Sequence, residues 1–252
     1  MGHDLGRSGA GGLEALSGAC FVAVIDVLVV TDGDAASFHG RPLPDDARPH
    51  VWWFRPTASA VVLGSTQDHD AVDLEDCARR GLEIVKRRSG GGIVIVGADL
   101  TLWVDVLVPR GHRLWDDDIG RASWWVGDVW AEALAEIGIE GSVHRGPMVS
   151  SNLSRVVCFA GRGPGEVIVT GSDGRPSKAV GISQRRTRDW SRFQCALSRR
   201  WDAELHRAVV RTDSIDAPLD SLSFDRLGTD LDLDVSSFGD DVVRRLVARL
   251  DD

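Results

Sequence analysis

The stretch RRSGGG (residues 87–92) sets two guanidinium groups and a hydroxyl beside three consecutive glycines. Glycine lets backbone approach a ligand closely, and successive free N–H groups make an anion-binding concavity. Arg87 and Arg88 add planar donors suited to phosphate or carboxylate. No GK[ST] follows and no helix opens after the glycines, so this is neither a P-loop nor a dinucleotide fingerprint. A hairpin tip flanked by solvated arginines is the plainer alternative, and this stretch alone leaves both open. A second stretch, CFAGRGPGEVIVTGSDGRPSKAVGISQRR (158–186), holds Cys158, a Gly-Pro-Gly turn and Lys178, and leads into the cationic run QRRTR (184–188). A cation beside a cysteine favours the thiolate and so makes a nucleophile. Taken singly, Lys178 reads as a surface lysine and Cys158 as a small buried apolar residue.

Short apolar runs must position these groups. Strands are predicted at 51–56, 59–65, 82–88, 92–96, 101–109, 142–146, 156–161, 166–172, 178–186 and 192–201. Helices are predicted at 72–81, with Asp70 as cap and Gly81 as stop, and at 116–138, ended by Gly138. Two more are predicted at 203–210 and 240–250. Trp125, Val129, Ala133 and Leu134 share one stripe of the longest helix. The segments 59–64, 82–88, 92–96 and 101–108 are expected in one central sheet, with residues 118–137 packed on a face of it. Asp105 interrupts an apolar strand, and its face is not assigned. Runs of strands with helices between them give an α+β fold. One domain is expected: a flexible tail at 1–12, a domain at 13–252, and within it an acidic C-terminal extension at 212–252.

Length, 252 residues, allows one large domain, and the apolar and charged shares are those of an ordinary globular protein. A net charge of -9 argues against nucleic acid as a partner. Four cysteines, Cys20, Cys77, Cys158 and Cys195, show no metal spacing, so no metal site is expected and reduced thiols are. The apolar run at 19–30 is too short to span a membrane and contains Asp26. The cysteine of LSGAC (16–20) precedes the apolar run instead of following it. No signal peptide and no membrane partner are expected, and a cytoplasmic location is.

Taken together and in order, RRSGGGIVIV and VCFAGRGPGEVIV…SKAVGISQRR resemble the biotin/lipoate protein ligase superfamily. Within it they are closest to the lipoate–protein ligase branch, which includes octanoyltransferases. The resemblance runs from about Val51 to Trp201 and includes AVVLGSTQ (60–67). The family reads RR-x-x-GG before a strand, then K-x-x-G-[SI]-[AS]-Q, matched here by Lys178, Gly181, Ile182, Ser183 and Gln184. Where relatives carry a His in a G-x-V-x-H pattern, this chain has Val96.

The resemblance implies a single α+β domain with a mixed, mostly antiparallel central sheet packed by helices, as in class II aminoacyl-tRNA synthetases and biotin ligases. It implies catalytic roles for Lys178 and Cys158. It implies substrate contacts from Arg87, Arg88, Ser89, Gly90, Gly91, Gly92, Gly181, Ser183 and Gln184. Arg87, Arg88, Gly90, Gly91, Gly92, Lys178 and Gln184 are expected to line one common cleft. The glycine hairpin would cover the acyl chain, and Lys178 would meet its carbonyl, where a fixed cation stabilises developing negative charge. Trp-rich apolar strands would line the acyl tunnel, each buried CH₂ being worth roughly 0.8 kcal/mol.

The first expectation is a lipoate–protein ligase. It would use ATP with Mg2+ to form an acyl-adenylate of lipoate or octanoate, then acylate a lysine of a lipoyl domain. The alternative is an octanoyltransferase that needs no cofactor, takes octanoate from acyl carrier protein and passes it through a Cys158 thioester. A non-enzymatic ligand-binding member is the third reading. The implied acceptors are the lipoyl domains of 2-oxoacid dehydrogenases and the glycine-cleavage H protein.

Overall fold

The computed structural model describes residues 26–171, 173–211, 213, 222–225 and 227–252, with side chains from Asp32 onward. The expected tail at 1–12 and much of 212–226 lie outside the described residues. Among the described residues, ten strands form two sheets. The larger sheet holds β1 (Asp26–Gly33), β2 (His50–Pro56), β6 (Thr101–Pro109), β7 (Gly141–Val143), β8 (Val167–Thr170), β9 (Pro176–Arg186) and β10 (Trp190–Ser198). Their order across it is β1-β2-β6-β10-β9-β8-β7. Only β1 and β2 run parallel; every other neighbour is antiparallel. The mixed, mostly antiparallel α+β architecture is therefore the observed one.

One expectation about this sheet is corrected. The segments at 59–64, 82–88 and 92–96 do not join 101–108. They form a separate three-stranded sheet, in which β3 (Ala60–Leu63) lies between β4 (Glu83–Lys86) and β5 (Val94–Val96). The physical reason is two-sided burial. Ala60 and Val62 face Trp52, Phe54 and Trp103 of the large sheet, while Val61 and Leu63 face away into a second core. A strand whose alternate residues serve two cores reads as one apolar run in sequence.

The far side of the large sheet is covered by α3 (Trp124–Glu136) and α5 (Val235–Asp251), which bury Trp130, Leu134, Phe238 and Leu246 against Val51, Val104, Val106 and Phe193. The expected helix at 116–138 starts later. Asp116 and Asp118 are engaged instead in a turn, accepting from the side chain and the backbone N–H of Arg121. The outer face of the small sheet is closed by α2 (Leu74–Arg79) and α4 (Ala203–Val209). Asp73, not Asp70, caps α2 by accepting from Asp76 N at 2.8 Å. The segment 156–161 is not a strand; Cys158–Ala160 form one short 3-10 turn. Two elements went unanticipated: β1, and α1 (Ala35–Gly40), which is capped by Asp34. None of the described helices is long and apolar enough to cross a membrane.

Two ion pairs sit inside this frame. Asp105 is fully buried on the inner face of the large sheet and binds Arg192 at 2.6 Å and Trp103 Nε1 at 2.7 Å. The second pair, Lys178 with Glu166, belongs to the site described below.

The seating of α5 depends on Gly239, because a Cβ there would collide with the Trp53 indole. By propensity alone, Gly→Ala inside a helix stabilises by about 1 kcal/mol. Here overpacking outweighs that gain, so Gly239→Ala is expected to destabilise by about 1–3 kcal/mol in urea unfolding. A gain in stability would show that α5 does not press on Trp53.

Candidate active site

The site lies between the two sheets, and β9 supplies its floor. Along β9, Val180 pairs with Val167 but Lys178 pairs with Ile168, so Ala179 is an extra residue opposite β8. Such a bulge re-aims the next side chain. Ala179 and Val180 both enter the helix-side core. Lys178 is thereby turned to the inner face, together with Gly181 and Ser183. Without the bulge, Lys178 would point at α3.

Lys178 is buried, 3% exposed. Its Nζ donates to the Cys158 carbonyl at 2.9 Å and pairs with Glu166 Oε2 at 2.6 Å. It also lies 5.4 Å from the centre of the Phe159 ring. Glu166 is as buried as its partner. It accepts from Gly163 N at 2.6 Å and from Ile182 N at 3.3 Å. The Gly-Pro-Gly turn and β9 thus both hold the carboxylate that holds the lysine.

Above them hangs the glycine hairpin. Ile93 donates to Val156 O at 2.7 Å and accepts from Cys158 N at 3.0 Å, which ties the hairpin to the cysteine turn. A Cβ on Gly92 would strike Val156 and Cys158 backbone atoms at 2.8 Å. Gly91 has φ +99, a region open chiefly to glycine. A Cβ there would lie 3.7 Å from the Cys158 Sγ, so the thiol rests against Gly91. Arg87 is buried and spends its donors on the hairpin itself. Its Nη2 donates to Gly90 O and Gly92 O, both at 2.9 Å, and its Nε to Gly90 O at 3.3 Å. The three glycines thus serve close approach, and the first arginine holds their shape.

Between hairpin and floor is a cavity of ≈ 40 Å³ lined by Val62, Val94, Trp103, Cys158, Phe159 and Gly181, and at one end by Arg87, Ser183, Gln194 and His39. The polar end is a chain of hydrogen bonds. Ser183 Oγ lies 3.1 Å from Ser89 Oγ, which donates to Gln194 Oε1 at 3.0 Å. Gln194 Nε2 lies 3.1 Å from His39 Nδ1. The amide can only donate there, so His39 accepts at Nδ1 and carries its proton on Nε2. Burial pushes the imidazole down to about 3, helped by the nearby Arg87 and Arg192 charges, so His39 is neutral.

The expected residues are therefore brought together in part. Cys158, Arg87, Gly181 and Ser183 line the cavity; Ser89, Gly91 and Gly92 bound it through their contacts; Lys178 sits beneath Cys158. Arg88 and Gly90 are exposed at the hairpin tip. Gln184 does not share the cleft. It pairs with Phe193, on the opposite face from Ser183, and donates to Ser191 Oγ at 3.3 Å. Adjacent strand residues point to opposite faces, which rules out both reaching one cleft from an unbulged stretch. Sequence reasoning missed Glu166, Gln194 and His39. For Glu166 a signal existed, a lone acid opening a β-branched run. His39 and Gln194 carried none.

Residues 41–243 match the model of the lipoyl protein ligase A/B catalytic domain. The chain belongs to that family. It is a protein-acylating enzyme of the lipoate ligase or octanoyltransferase kind. Octanoyltransferase LipM of Carboxydothermus hydrogenoformans is 25% identical over 202 residues, covering 80% of this chain and 68% of that protein. Among solved structures, the bi-partite lipoate protein ligase of Thermoplasma acidophilum, described with its E2 lipoyl domain, is similar with a TM-score of 0.65. Its identity is 15%, over 89% of this chain and 83% of that one. A lipoate-protein ligase A bound with ATP gives a TM-score of 0.64 at 17% identity, over 89% and 85% of the two chains. At such identities these two likenesses concern the fold.

Removing one partner of a buried pair strands the other charge. Glu166→Gln is expected to destabilise by about 3–5 kcal/mol in urea unfolding, and Lys178→Met added to it to recover much of that loss. Strictly additive losses in this double-mutant cycle would contradict the pairing.

Proposed function

We propose that this enzyme is an octanoyltransferase that carries the acyl group on Cys158. The single observation that carries this reading is the placement of Cys158 in the wall of an apolar cavity, with the buried Lys178 ammonium bonded to its own carbonyl at 2.9 Å. A cysteine with only a packing role would face the core, as Cys77 and Cys195 do. The octanoyltransferase name of the curated relative supports the same choice.

The chemistry balances without an external cofactor. The Cys158 thiolate attacks the thioester carbonyl of an octanoyl donor, and the donor's thiol leaves with the cysteine's proton. The amine of an acceptor lysine then attacks the octanoyl-cysteine, and Cys158 leaves as thiol, taking the amine's proton. Each step passes through an oxyanion, for which Lys178 Nζ, bonded to the Cys158 carbonyl, is a buried cation at hand. The octanoyl chain lies between Gly91 and Gly181 in the apolar cavity. At ≈ 40 Å³ that cavity has room for no more than a few waters. Acyl binding therefore requires the hairpin or Phe159 to shift. The donor is acyl carrier protein, and the acceptor is a lipoyl domain or the glycine-cleavage H protein, in a cytoplasmic setting.

The acyl-adenylate route would require ATP with Mg2+. Arg87, the buried hairpin cation, has Nε and Nη2 committed to Gly90 and Gly92 carbonyls, so those donors are not free for a nucleotide phosphate. A thioester route requires no nucleotide here.

Incubation with octanoyl-acyl carrier protein should add one octanoyl group to Cys158, read by intact-mass and peptide mass spectrometry. Cys158→Ser should lose turnover of that donor by at least about 10²-fold, the scale of losing a covalent nucleophile. Transfer from octanoate and ATP to a lipoyl domain, undiminished in Cys158→Ala, would overturn the reading and restore the ligase.

A further inference from the structure

Two cations beside the site, Arg88 at the hairpin tip and Arg185 on β9, are not used by the acyl cavity. The chain carries a net charge of -9, with 38 Asp and Glu. Yet Arg88 and Arg185 have no carboxylate partner among the described residues. Arg185 Nη1 is sealed from solvent and meets no hydrogen-bond acceptor. Desolvation, then the charges of Arg88 and Arg192, push the Arg185 guanidinium down. A buried donor left unpaired costs roughly 1–3 kcal/mol, more when charged, so the arrangement is one that an anion would stabilise.

The register shows why the two meet. Ser89 and Ser183 touch at 3.1 Å. Arg88 precedes the first, and Arg185 lies two residues beyond the second on the same strand face. Arg192, opposite Arg185 on β10, is already neutralised by Asp105. Arg88 and Arg185 are left as two guanidinium groups beside the Ser89–Ser183 contact, close enough for the charge of one to act on the other, and forked donors of this kind suit a phosphate.

Their distance from the chemistry suggests which phosphate. Gly181, over which Phe159 and Lys178 pack, is four residues from Arg185, roughly 13 Å at about 3.3 Å per strand residue. In a carrier-protein donor the thioester is separated from a phosphodiester by a pantetheine arm of the same order, roughly four residues of extended chain. We propose that Arg88 and Arg185 form a subsite for the phosphate of a phosphopantetheine arm, which sets the donor's thioester over Cys158. This rests on the thioester reading above.

The test compares kcat/KM for octanoyl-phosphopantetheine and octanoyl-pantetheine, in the full chain and in R88Q/R185Q, with a lipoyl domain as acceptor. The wild type should prefer the phosphorylated donor by about tenfold or more, the loss expected for one charge-assisted contact, and the double variant should lose most of that preference. Thermal melting checks that the variant is folded; if it is not, R88Q and R185Q singly should each lose part of the preference. Equal use of both donors by the wild type, or an undiminished preference in the variants, overturns the subsite. A third arm offers octanoate and ATP. A loss confined to that arm assigns the arginines to a nucleotide phosphate and overturns the carrier-arm assignment.

Failure of the thioester reading looks different: no donor is turned over, and Cys158 carries no octanoyl group. The subsite is then judged by calorimetry with phosphopantetheine itself. Binding about tenfold weaker in R88Q/R185Q supports it, and equal binding overturns it.

Discussion

The site depends on one buried ion pair. Lys178 and Glu166 meet at 2.6 Å with almost no exposure, and each is held by backbone as well as by the other. Two charges so deep are costly unless each is paired and further hydrogen-bonded, and here both are. Glu166 joins the Gly-Pro-Gly turn to β9. Lys178 joins β9 to the cysteine turn. The cysteine turn is joined through Ile93 to the glycine hairpin. Four segments, the glycine hairpin well upstream of the other three, are thereby fixed round one thiol.

The hairpin shows how a glycine run can be structural and functional at once. Gly92 has no room for a side chain beneath Val156, and Gly91 adopts a conformation that opens space for the Cys158 sulfur. Arg87 offsets the lost rigidity by bridging Gly90 and Gly92. The result is a lid with defined shape over a small apolar cavity. Shutting of this lid on a bound acyl group would exclude water and strengthen the field of the buried lysine. It also means that substrate entry and acyl-chain burial are coupled to movement of the lid.

Much of this was legible in the sequence, for identifiable reasons. Three consecutive glycines announced the hairpin because they are costly unless used, whereas Cys158 and Lys178 were singled out only through the resemblance that the two motifs carry together. The apolar runs announced the strands. The division into two sheets was hidden, since strands buried on both faces show no alternation: β3 reads AVVL and is buried throughout. The bulge at Ala179 was hidden too, and it decides which face Lys178 takes. Gln184 was assigned to the cleft by motif alone, and strand parity places it on the other side. Asp105 announced itself as an anomaly, but its partner Arg192 is 87 residues away. His39 lies on a six-residue helix with no periodic signal of its own.

The most direct measurement is a crystal structure of the octanoylated enzyme, trapped with an octanoyl thioester in the absence of acceptor. The account predicts continuous density from the Cys158 sulfur, running between Gly91 and Gly181 toward Val62 and Trp103, with Lys178 still paired to Glu166 and within hydrogen-bond distance of the thioester carbonyl. An octanoyl chain elsewhere, such as the cavity beside Trp201 and His206, or a Lys178 swung away from Cys158, would contradict it.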